Sequence, residues 1–149
     1  MKVVIIYATL NGHTEELASL IEENLKSGAI EVDVKESYEI SGSDLPAYDA
    51  VLIGTYTYGD GDVPDDMLDI YEEIEEMELD GKPTAVFGSG DTFYDHFAGA
   101  VDKFTDLLKA RGGKMITESM KVDIMLDEEE VEEKASLFSK EISASLLSQ

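Results

Sequence analysis

Val3-Val4-Ile5-Ile6-Tyr7-Ala8-Thr9-Leu10-Asn11-Gly12-His13-Thr14-Glu15-Glu16 begins as an unbroken apolar run and ends in a polar turn followed by two carboxylates. Residues 3–7 read as a buried strand, because β-branched side chains dominate and no polar residue interrupts them. Beyond the turn, Leu17, Leu20, Ile21 and Leu25 recur at three- and four-residue steps, the period of one helix face. Strand, short polar loop and helix in this order predict an α/β chain whose first loop lies at the carboxyl edge of a parallel sheet.

The remainder repeats that alternation. Apolar runs at 32–34, 50–53, 84–87 and, less cleanly, 115–122 read as four more strands. Met67, Ile70, Ile74 and Met77 form a second helical stripe, and Phe97, Val101, Phe104 and Leu108 a third. Val131, Ala135, Phe138, Ile142 and Leu146 form a fourth. Core packing accounts for all four stripes, so their Met and Phe residues are not read as ligand contacts. Gly112-Gly113 permits a left-handed stop to the third helix, and Asp127 with Glu130 resembles a capping box opening the last. Five strands and four helices in alternation predict a doubly wound five-stranded parallel sheet with helices on both faces and right-handed crossovers. Strand order does not follow from this pattern. With 149 residues and neither linker nor repeat, one domain spanning 1–149 is expected.

Composition narrows the function classes. A 43% hydrophobic and 8% aromatic content argues against disorder despite the charge. The absence of cysteine excludes disulfides, iron–sulfur clusters and thiolate metal sites. Eleven basic against 34 acidic residues give a net charge of −23, which repels nucleic acid and anionic membrane surfaces. Such a surface suits solubility or salt adaptation, and it also suits docking to basic protein partners. Met1 leads straight into the first strand with no signal-peptide pattern, and no apolar run approaches a membrane span. A cytoplasmic protein is expected.

Three loops hold the unusual residues: Thr9-Leu10-Asn11-Gly12-His13-Thr14, Thr55-Tyr56-Thr57-Tyr58-Gly59-Asp60-Gly61-Asp62, and Gly88-Ser89-Gly90-Asp91-Thr92-Phe93-Tyr94. Each leaves a strand, and none contains Lys or Arg. The first opens a helix, whose unpaired amides suit a phosphate, with Thr9, Asn11 and Thr14 as donors and Gly12 allowing close approach. Helix capping explains the same residues equally well. His13 is the one potentially cationic group there, and beside a phosphate it would tighten binding at mildly acid pH. Tyr58 and Tyr94 stand outside the apolar stripes and suit a flat ring held between them, with Tyr56 and Phe93 as alternatives. G-x-x-x-x-G-K-[ST] and G-x-G-x-x-G are both absent from the first turn, against a nucleoside triphosphatase and a tightly held dinucleotide. A phosphorylated planar cofactor fits all three loops together.

These three motifs, with Phe97-Ala98-Gly99-Ala100-Val101-Asp102 after them, resemble the short-chain bacterial flavodoxins along the full chain. The fifth strand carries no long insertion, which resembles the same group. The resemblance implies a flavodoxin-like fold and non-covalently bound FMN. Thr9, Leu10, Asn11, Gly12, His13 and Thr14 would wrap the phosphate with help from Thr57. Tyr58 would cover one face of the ring and Tyr94 the other, with Tyr56 nearby. Backbone at Ser89, Gly90 and Asp91 would meet the pyrimidine edge. The Gly59–Asp60 peptide would turn on reduction to accept a hydrogen bond from the flavin. The family usually has Thr or Ser where this chain has Asn11, Asn where it has His13, and often Trp at Tyr58.

A flavodoxin passes single electrons and performs no chemistry on a substrate, so neither a catalytic residue nor a metal site is expected. The resemblance implies a low-potential carrier shuttling between semiquinone and hydroquinone. Asp60, Asp62, Asp91 and Asp95 in the flavin loops would drive that couple negative. Reductases of the ferredoxin–NADP type would be donors, with monooxygenases, desaturases or biosynthetic enzymes as acceptors. A monomer is the default. The alternative is an FMN-dependent NAD(P)H or quinone reductase of the same fold, which needs room over the flavin and a cationic clamp for NADPH. A signalling receiver domain needs an acidic pair after the first strand, where this chain has Tyr7-Ala8-Thr9. A structural module without cofactor is the remaining alternative.

Overall fold

The computed structural model describes residues 1–10, 12–28, 30–58, 60–92, 94 and 96–148. β1 (Lys2–Tyr7) pairs with β2 (Glu31–Glu36) on one side and β3 (Ala50–Tyr56) on the other. β4 (Pro83–Gly90) follows beyond β3, and all these pairings are parallel. The order β2-β1-β3-β4, with the fifth strand position beyond, reverses between β1 and β3. Loops leaving those two strands therefore part to opposite faces and open a crevice at the carboxyl edge.

Helices α1 (His13–Lys26) and α4 (Glu128–Leu147) cover one face, and α2 (Asp65–Glu75) and α3 (Gly99–Ala110) the other. The unbroken apolar run of β1 is explained by this double cover. Val3, Ile5 and Tyr7 join Leu17, Ile21, Phe138 and Ile142 in one layer. Val4 and Ile6 join Met67, Ile70 and Phe104 in the other. Successive side chains on a strand point to opposite faces, so a strand buried on both must be apolar at every position.

The architecture departs from the sequence reading in the fifth strand and adds turns after β2. Between β2 and β3, where the sequence carries no helical stripe, the chain forms two 3₁₀ turns, Ser37–Glu39 and Gly42–Ala47. Carboxylates of Glu39 and Asp44 accept the backbone N–H groups of Glu36 and Ser41, at 2.8 and 3.0 Å. Such local bonds compete with a helical ladder, and Gly42 and Pro46 weaken it further. The fifth strand is divided into β5 (Lys114–Met115) and β6 (Met120–Asp123), laid successively along β4. Thr84 pairs with Met115 and Phe87 with Met120, so residues 85–86 face residues 116–119, two against four. The surplus interrupts the pairing. Both expected helix boundaries form: Gly112 has φ +85° after α3, and the Asp127 carboxylate accepts Glu130 N–H at 2.9 Å. Among the described residues, no helix is long and apolar enough to cross a membrane.

Candidate functional site

Loop 1 turns on a side chain. The Thr9 hydroxyl accepts Gly12 N–H at 2.9 Å, and Gly12 adopts φ +85°, a conformation costly for residues bearing a Cβ. The first ladder bond of α1 runs from Glu16 N–H to Gly12 O at 3.0 Å. The amides of His13, Thr14 and Glu15 precede it, at the positive end of the helix.

Loop 2 is a small hairpin. Tyr58 and Asp62 exchange two backbone hydrogen bonds of 2.9 Å each, leaving Asp60 and Gly61 at the tip. Gly61, with φ +100°, rests against the start of α3, where a Cβ on Gly99 would lie 2.6 Å from its Cα. Loop 3 continues from β4, with Tyr94 N–H donating to Asp91 O at 3.1 Å.

Cross-links assemble the three loops. The buried hydroxyls of Thr14 and Ser89 lie 3.2 Å apart and join loop 1 to β4. Thr57 Oγ1 accepts Ala100 N–H at 3.4 Å, tying loop 2 to α3. The Asp60 carboxylate takes His96 N–H at 2.9 Å and faces its Nδ1 at 3.2 Å, joining loop 2 to the run after loop 3.

Together they enclose a cleft of about 240 Å³. Eleven of the residues expected from sequence line it: Thr9, Leu10, His13, Thr14, Tyr56, Thr57, Tyr58, Ser89, Gly90, Asp91 and Tyr94. Gly12 and Asp60 are not lining residues, and they shape loops 1 and 2 from behind. Asn11 and Gly59, also expected in the site, lie outside the described residues, as do Phe93 and Asp95. His96, Ala98 and Ile124 line the cleft without having been expected there. His96 and Ala98 follow Tyr94 so closely that extending loop 3 would have included them. Ile124 comes from a fourth loop, after β6, whose sequence gives no polar or glycine signal.

The lining includes the hydroxyls of Thr9, Thr14, Thr57 and Ser89 and the first residues of α1, while Tyr58, Tyr94, Ala98 and Ile124 offer apolar or aromatic surface. That donor set fits a phosphate and a planar ring. Tyr58 and Tyr94 are 66% and 42% exposed, so a ring between them keeps an edge open to solvent. Tyr56 sits deeper. Burial and its hydrogen bond to Asp66, at 3.1 Å, push its phenol up to about 12. Hydrogen bonds from the His96 backbone and ring hold the Asp60 carboxyl below the usual range. The loops contain no Lys or Arg, yet α3 brings Lys103 Nζ to 3.4 Å from Asp62. The local field is therefore less negative than the loop sequences suggest.

Residues 5–138 match the family model described as Flavodoxin. A Bacillus subtilis (strain 168) protein named "Probable flavodoxin 2" is 47% identical over 133 residues, covering 89% of this chain and 88% of its own. Oxidised Flavodoxin 2 from Bacillus cereus superposes with a TM-score of 0.92 at 38% identity, over 97% of this chain and 99% of that one. Fusobacterium nucleatum flavodoxin bound to flavin mononucleotide shares the fold, with a TM-score of 0.83 at 18% identity over 96% and 97% of the two chains. With sequence, fold and cleft in agreement, the chain belongs to the flavodoxin family.

Proposed function

We propose that this chain is a low-potential one-electron carrier that binds FMN non-covalently and shuttles between semiquinone and hydroquinone among redox proteins. The observation that carries the reading is one cleft lined both by hydroxyl residues with the start of α1 and by two tyrosines. When bound there, FMN supplies the electron-accepting ring, and the protein positions and tunes it. The amides and hydroxyls of loop 1, with Thr57, hold the phosphate without a cationic clamp. Tyr58 and Tyr94 orient the ring, and Ser89, Gly90 and Asp91 meet its polar edge. Buried Thr14 and Ser89 keep these two binding ends in register.

Partners come to the exposed ring edge. Leu10, Tyr58, Tyr94 and Met125 are exposed around the cleft, and α1, α2 and α4 each carry carboxylates in the turn facing this edge. An apolar centre with an acidic rim fits a basic-rimmed redox protein, such as a ferredoxin-type reductase or an electron-requiring oxygenase or desaturase. The protein acts as a cytoplasmic monomer, one domain over 1–149, with no enzymatic turnover of its own.

Apo-protein titrated with FMN should quench flavin fluorescence at one equivalent, and the holoprotein should accept electrons from a reductase while oxidising NAD(P)H only slowly alone. Rapid NAD(P)H oxidation without a partner would replace the carrier by the FMN-dependent NAD(P)H or quinone reductase. A protein that fails to retain FMN after refolding would remove both.

A further inference from the structure

Loop 2 carries Tyr58 and loop 3 carries Tyr94, so the ring slot exists only while these loops hold their spacing. Besides the uncharged Thr57–Ala100 bond, two charged side-chain contacts span from loop 2 to the far side. Asp62 meets Lys103, a permanent cation. Asp60 meets His96, through both its backbone N–H and its ring, while Gly61 packs against the His96 Cβ position. Only the second contact can change strength near neutral pH.

We propose that His96 is a positioning residue for the flavin slot, a latch on Asp60 whose grip on loop 2 tightens when the imidazole is protonated. The inference rests on the FMN-binding reading above. The neutral imidazole offers Asp60 one hydrogen bond, whereas the imidazolium adds charge to the same contact. A latch closed before the ligand arrives removes part of the ordering cost of binding. Flavin affinity therefore rises when the imidazole in this contact gains its proton.

The surrounding charges are compatible with this sign. Asp60 faces the ring from loop 2, Asp91 and Tyr94 share the cleft on loop 3, and Lys103 is engaged with Asp62. His13 lines the same cleft from α1. The Asp60 carboxyl is held below its ordinary range, so it stays ionised across the pH range of the test. Both latch side chains are largely exposed, 72% for His96 and 48% for Asp60, which limits the effect to the scale of a surface ion pair. That scale corresponds to about a two- to fivefold change in affinity.

The test titrates apo-protein with riboflavin, and in parallel with FMN, by fluorescence quenching from pH 8 to pH 5.5. Riboflavin lacks the phosphate, and a His13→Asn background removes the other cleft imidazole. In that background, affinity should tighten about two- to fivefold as pH falls. Adding His96→Asn, which keeps a neutral donor, should flatten the profile. Asp60→Asn should flatten it as well. A flat parent profile, an unchanged slope in His96→Asn, or a slope lost in His96→Asn but kept in Asp60→Asn would each overturn the latch. The last outcome would mean that His96 acts directly on the ligand. Absence of FMN quenching in the wild-type protein would instead overturn the function proposed above, and the latch with it.

Discussion

Replacing Gly99 by alanine tests whether loop 2 depends on its seat against α3. The added Cβ would fall 2.6 Å from Gly61 Cα and 3.2 Å from Gly61 O. Comfortable carbon contacts begin near ~3.5 Å, so the backbones must separate by roughly 1 Å. Neither partner is a flexible side chain that can swing aside. The loop tip bears φ +100° at Gly61 and is held by Tyr58–Asp62 bonds, so it moves as a unit and takes Tyr58 with it. Overpacking of this kind costs about 1–3 kcal/mol, divided between the fold and the slot. Gly99→Ala should lower apo-protein stability by about 1 kcal/mol in urea unfolding and weaken FMN binding about tenfold in quenching titrations. Gly81→Ala is the control. Its φ is +79° but its added Cβ meets nothing within 4 Å, so it should cost stability and leave FMN affinity unchanged. If Gly99→Ala bound FMN as tightly as the parent, the loop would not owe its position to this contact.

Three further outcomes are expected. Lys103→Met strips Asp62 of its partner, and one carboxylate ~10 Å from the ring at an effective dielectric of ~40 opposes an anionic flavin by ~0.8 kcal/mol. Potentiometry should place the lower midpoint roughly 35 mV more negative in that variant, and about as much more positive in Asp62→Asn. Tyr48 and Tyr7 have phenols pushed up to about 12, chiefly by burial and then by neighbouring carboxylates. Their folded-state pKa values exceed the unfolded value of ~10, so the stability they contribute is complete below about pH 10 and is lost as pH rises towards about 12. Urea melts should show that decline, less steeply in Tyr48→Phe, which also loses the 2.7 Å bond to Asp33. Electron-transfer rates with a basic partner should fall as salt rises, since exposed charges are screened beyond ~10 Å at 0.1 M. A rate indifferent to salt would exclude electrostatic steering.

The parts of the fold written in local pattern were legible. The doubly covered strand shows itself in an unbroken apolar run, and loops 1 to 3 show themselves as hydroxyl, glycine and aromatic residues outside any stripe. Less visible were features set by the third dimension. Ala98 adopts φ +50°, a left-handed conformation that carries no signal in an alanine, and that turn brings residues 96–98 back to the cleft. Lys103 belongs to a helix far along the chain, so the expected absence of cations near the flavin loops did not anticipate its contact with Asp62. Ile124 opens a short apolar run, Ile124-Met125-Leu126, and only the placement of β6 beside β4 makes it part of the lining. The 3₁₀ turns after β2 have no apolar period to announce them, because side chains bonding the nearby backbone set them.

The four-against-two mismatch between residues 116–119 and residues 85–86 gives the molecule a place to grow. β4 keeps its register on both sides of the interruption, and the Thr105 and Ser119 hydroxyls, 2.6 Å apart, pin the excursion to α3. Additional chain spliced there, whether a reporter peptide or a whole tethered partner, would leave at the sheet's margin. The margin could thus be lengthened at little cost to the colour-bearing end of the protein.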